Sequence, residues 1–172
     1  MINTNKKIQY FLYHYTPAIL LYTSILSEID FNNSEFKYFS FNFAYILIFH
    51  YSLKREGSIG YIIIFIAGLF NDVVNGIPMG ISSLTYLLLC AAAAYLRNIT
   101  LRPNLIKDWI FFLITISFLN FISYIVLMLI FKQEVNYFDQ IVNIIWTFFL
   151  YLFFSYLFNL YDNILAGKLN AR

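Results

Sequence analysis

One carboxylate stands in an otherwise apolar stretch, Gly68-Leu69-Phe70-Asn71-Asp72-Val73-Val74-Asn75-Gly76-Ile77-Pro78-Met79-Gly80-Ile81-Ser82-Ser83-Leu84. Residues three, four and seven apart share one face of a helix, so Gly68, Asn71, Asp72 and Asn75 form a small polar stripe. Gly76 suits the left-handed residue that closes a helix, and Pro78 prevents its continuation. Gly80 with Ser82 and Ser83 suits the start of a second helix. Two roles are open to Asp72. A tight hairpin would bring it beside the amino end of the second helix, whose unpaired N–H groups favour an anion, so that it staples the turn. Alternatively the stripe is a docking surface or ligand site, with Pro78 and Met79 offered to a partner. The two roles are compatible.

Other reactive side chains do not converge with it. His14 and His50 fall toward the same ends of their predicted helices, where they could be neighbours. Asp72 lies near the opposite surface, roughly 20 Å away at about 1.5 Å per residue. No acid–base triad or metal cluster is expected from this set. A transferase acting on metal-bound phosphates needs several acidic residues in the membrane, and one aspartate does not supply them. No enzyme, metal or cofactor is therefore expected. Cys90, beside Ala91-Ala92-Ala93-Ala94, reads as a packing residue where small side chains let helices approach. Asn42, Asn120 and Asn143 read as amides that hydrogen-bond across helices. Tyr10, Tyr38, Trp109 and Tyr161 suit anchoring at the membrane–water boundary.

The elements that must carry these residues follow from composition. Of 172 residues, 61% are apolar and 22% aromatic, while only 12% are charged. A soluble domain of this size cannot hide that much apolar surface, since about a third of the unfolded chain's area stays wet. The formal charge of +2 is too small for a nucleic-acid footprint, and one cysteine forms no internal disulfide. The reading is an integral membrane protein, one domain over residues 1–172. Six transmembrane helices are predicted at Ile8–Ser27, Tyr38–Leu53, Ser58–Val74, Ile81–Leu96, Trp109–Phe131 and Ile141–Leu160. The second, third and fourth are short for a 30 Å hydrocarbon core and are expected to recruit loop residues or sit in thinned bilayer.

Nineteen of the twenty Asp, Glu, Lys and Arg residues fall outside these spans, leaving Asp72 alone inside one. The apolar runs do not alternate, which excludes a transmembrane β-barrel. Lys6, Lys7, Lys54, Arg55, Arg97, Arg102, Lys107, Lys168 and Arg172 share one side, against Lys37 and Lys132 on the other. The positive-inside rule then puts both termini in the cytoplasm. Lys6 and Lys7 open a stretch like a signal peptide, but Pro17 and the missing small-x-small site make it a retained helix. The basic loop carrying Arg97, Arg102 and Lys107 would face anionic lipid or cytoplasmic partners.

The Gly68–Gly80 stretch resembles the signature of the rod-shape-determining protein MreD family, roughly Gly-Leu-x-x-Asp-x-x-x-Gly-x-Pro-x-Gly. Gly68, Leu69, Asp72, Gly76, Pro78 and Gly80 match it position by position. The resemblance implies a non-enzymatic bacterial inner-membrane component of the cell-elongation machinery that makes lateral peptidoglycan. It implies partners: an MreC-like bitopic membrane protein, an MreB-like filament protein, and the wall glycosyltransferase and transpeptidase. It also implies an architecture similar to the six-helix substrate-binding subunits of energy-coupling-factor transporters. Asn71 and Asn75 are bulkier and more polar than that pattern. The competing expectation is a small-molecule (vitamin-like) binding subunit of a membrane importer; a permease is a third, with only one charged intramembrane residue for coupling and no recognisable inverted repeat.

Overall fold

The computed structural model describes residues 14–26, 41–55, 57–100, 104–132 and 136–170, the side chains through residue 164. Lys6, Lys7, Tyr10, Lys37, Tyr38, Arg102, Lys168 and Arg172 lie outside what is described of backbone or side chain. Six helices and no strand occur among the described residues. They are α1 (residues 14–26), α2 (Phe43–Lys54), α3 (Tyr61–Asn75), α4 (Ile81–Ile99), α5 (Leu105–Leu129) and α6 (Tyr137–Asn170).

Helix α2 is the centre of the bundle. Every residue from Ala44 to Tyr51 is buried, so the rest of the protein covers this largely apolar helix on every side. Its neighbours close a ring. α3 packs on α4, α4 on α5, and α5 on α6. Thr16 of α1 reaches Tyr161 of α6 at 2.9 Å, and the Tyr22 hydroxyl donates to the Ile63 carbonyl of α3. Aromatic rings fill the space inside. Phe49 of α2 lies 5.0 Å from Phe112 and 5.8 Å from Tyr151, and those two stack at 4.4 Å. Trp109 stacks on Phe148 at 4.2 Å while its Nε1–H donates to the Phe148 carbonyl, tying α5 to α6.

Helix ends differ from the sequence reading for local reasons. α2 starts at Phe43 because Asn42 is its N-cap, with an extended backbone and a side chain accepting the Tyr45 N–H. α5 starts at Leu105, four residues before Trp109, because Asn104 caps it in the same way. The apolar helix Leu105–Leu129 includes Lys107 and Asp108, and Asp108 is buried at 2% exposure. Lys54 of α2 pairs with it at 3.2 Å, which makes burial of the carboxylate tolerable. α5 and the segment Tyr137–Ile164 of α6 are each long and apolar enough to cross a membrane. Four threonine hydroxyls are satisfied locally, as Thr23, Thr85, Thr115 and Thr147 all donate to carbonyls one turn back.

Candidate functional site: the α3–α4 hairpin

The turn between α3 and α4 is built by backbone geometry. Gly76 adopts φ +63°, its N–H reaching the Val73 carbonyl at 3.4 Å while the Ile77 N–H reaches that of Asp72 at 2.9 Å. These are the paired bonds of a Schellman ending, and the left-handed residue between them costs glycine nothing. Pro78 follows, and Gly80 at φ +105° opens α4. No side chain on α4's own N-cap is available to receive its first N–H groups, because that cap is a glycine.

Asp72 supplies the missing acceptor from across the turn. It is fully buried. One carboxylate oxygen accepts the Gly80 N–H at 2.6 Å and the other the Ser82 N–H at 2.9 Å. Each such charge-assisted bond contributes about 1.5–3 kcal/mol net. The rest of the stripe divides. Asn71 is buried and donates its Nδ2–H to the Ser82 hydroxyl at 3.0 Å, while exposed Asn75 bonds back to the Asn71 carbonyl. Gly68 lies against the Ser83 backbone, where a Cβ would find the Ser83 nitrogen at 2.6 Å. Ser83 in turn donates its hydroxyl to the Phe65 carbonyl at 3.0 Å. Gly68, Asn71 and Asp72 thus come together against Ser82 and Ser83. At the tip Met79 is 75% exposed and Ile77 and Pro78 are half-buried.

Chemically this arrangement ties the end of α3 to the start of α4. Each Asp72 oxygen accepts one main-chain N–H from the start of α4, the position of a capping acceptor for that helix. Ser82 and Ser83 were expected only to start a helix; their contacts depend on the α3–α4 approach, which spacing alone does not specify.

At the opposite end of α4 the charged residues gather around the end of α2. Lys54 pairs with Asp108 of α5, Arg55 pairs with Asp162 of α6 at 3.1 Å, and the Arg97 guanidinium donates to the Ser52 carbonyl at 3.0 Å. Arg97 is therefore engaged inside the bundle, whereas Lys107 is exposed. His50 is fully buried with Nδ1 3.2 Å from the Ser155 hydroxyl, and His14 is exposed on α1. Cys90 is buried beside Ser52, whose hydroxyl reaches its sulfur at 3.2 Å. Among the described residues no three His, Cys, Asp or Glu side chains are grouped to hold a metal.

The family model for rod shape-determining protein MreD matches residues 7–161, nearly the whole chain. No curated protein and no solved structure matches it. The match covers the hairpin and the helices that hold it, and on that ground the chain belongs to the MreD family of rod shape-determining membrane proteins.

Proposed function

We propose that this protein is a non-catalytic, multi-pass scaffold of the bacterial inner membrane, serving the machinery that elongates the cell wall. In this reading all six helices cross the bilayer with both termini in the cytoplasm, and the α3–α4 hairpin faces outward. Nine cations on the one side against two on the other support that orientation. The observation that carries the scaffold role is the hairpin itself. Asp72 is spent on the turn's own N–H groups, and the fixed turn leaves Met79 exposed at its tip. A preformed, apolar tip loses little conformational freedom when a partner docks, which favours recognition by short turns in a protein without large loops. The partners proposed are an MreC-like bitopic protein at the hairpin, with an MreB-like filament and the wall glycosyltransferase and transpeptidase in the same assembly. Lys107, exposed near the start of α5, faces the cytoplasmic side together with Arg102.

Photo-crosslinking in cells from positions 77 and 79 tests this. Capture of a single-span wall-assembly protein, together with loss of rod shape on depletion, is the expected result. A vitamin-like ligand retained by the purified chain, with no protein captured, would overturn it in favour of an importer subunit.

A further inference from the structure

The two ion pairs at the end of α2 mark one level of the bundle, and helix lengths can be measured from it. Arg55 pairs with Asp162, and the Ser58 N–H bonds the Arg55 carbonyl, so α3 starts just beyond that level. α3 has 15 residues, which at about 1.5 Å each brings the hairpin about 22 Å above it. α4 gives the same answer, because Ile81 to Arg97, whose guanidinium returns to Ser52, spans about 24 Å. From the same level α6 runs from Asp162 to Tyr137, about 38 Å. The exposed apolar residues follow these lengths. On α3 they end at Phe70 and Val73, with polar Asn75 exposed above them; on α6 they continue through Ile145 to Ile141, about 32 Å above the same level, before half-buried Asp139.

We propose that the lipid bilayer is thinner against the α3–α4 flank than against the α5–α6 flank, by several ångströms, so that this chain bends the membrane around itself. A hydrocarbon core of about 30 Å exceeds the apolar height of α3 and α4 by about 6–8 Å, and a short span is accommodated by drawing the bilayer in. The lipid is the occupant of this flank because its polar limits, the ion-pair level below and Asn75 with the turn above, bound an uninterrupted apolar band. The inference rests on the six-span reading given above.

Two positions at similar height above the ion-pair level separate the cases: Met79 on the short flank and Ile145 on the tall one, both exposed. In a Cys90→Ala background of the full chain, Met79→Cys and Ile145→Cys carry nitroxides in dioleoyl-phosphatidylcholine vesicles. Depth is then read from oxygen and nickel-chelate accessibility. The Met79 label is expected at the headgroup level and the Ile145 label about 5–8 Å deeper in the acyl chains. Equal depths overturn the proposal, and so does dipolar broadening at Met79, which would mean a second copy covers the flank. A membrane-impermeant thiol reagent applied to Tyr61→Cys and Met79→Cys tests the spanning reading separately. Reaction from opposite sides is expected; reaction from the same side overturns that reading and the thinning with it.

Discussion

Gly68 of α3 has no room for a methyl group because Ser83 of α4 stands against it, the serine nitrogen and hydroxyl at 2.6 and 2.9 Å from where a Cβ would lie. The obstruction is backbone, so it does not swing aside as the end of a flexible side chain would. Gly68→Ala is expected to push the two helices apart and destabilise the protein by about 1–3 kcal/mol, the range for overpacking a tight contact. Thermal unfolding in detergent, compared with Gly60→Ala where nothing lies nearer than 3.9 Å, measures it. Equal melting of the two variants would refute the close approach.

Asp72→Asn keeps one acceptor oxygen but turns an N–H2 group toward the second main-chain donor. Either Gly80 or Ser82 then keeps a buried N–H without an acceptor, and the expected loss is about 2–4 kcal/mol. Protein level and melting temperature should fall together. Normal level and melting with lost partner capture would instead assign Asp72 directly to docking.

The Lys54–Asp108 pair joins α2 to α5 with the carboxylate at 3% side-chain exposure and the lysine at 23%. Removing one member strands the other, so Lys54→Met and Asp108→Leu should each destabilise, by about 1–3 kcal/mol given the lysine's partial access to water. The double variant should recover most of that loss, because an apolar pair of similar volume needs no desolvation. A double-mutant cycle in detergent reads the coupling. Additive losses would show that the pair contributes nothing of its own.

Cys90 is buried, its sulfur held by the Ser52 hydroxyl, and buried thiols in apolar surroundings are unreactive. A maleimide should leave it unmodified in the folded protein over the minutes in which the denatured chain is modified completely. Cys90→Ala should retain rod-shape function, measured by restoration of cell shape on depletion of the wild-type chain. Rapid labelling of the folded protein would place Cys90 at a surface.

Local punctuation in the sequence was readable. Gly76 and Pro78 end α3 where a left-handed residue and a missing N–H must, and α4 begins at Ile81 as its flanking Gly80 indicated. The burial of α2 was not readable, since a helix apolar on every side looks alike whether lipid or protein surrounds it. Nor was the place of Asp108. Beside Lys107 and before Trp109 it reads as the edge of a span, and only the return of Lys54 from another helix shows why it is inside. The contacts of Ser82 and Ser83 were hidden for the same reason, because they are made 10 to 18 residues back along the chain. What propensity and spacing lack is the crossing of helices, and there the fold was decided.

The enclosure of α2 also bears on the order of assembly. This helix leaves the ribosome ahead of nearly everything that wraps it, and His50, Lys54 and Arg55 receive their companions from residues translated some 50 to 110 positions later. Biogenesis must therefore shelter an unfinished, charge-bearing segment until the last helix arrives. A nascent chain stalled before Asp162 would expose that segment to quality control rather than to its destined neighbours.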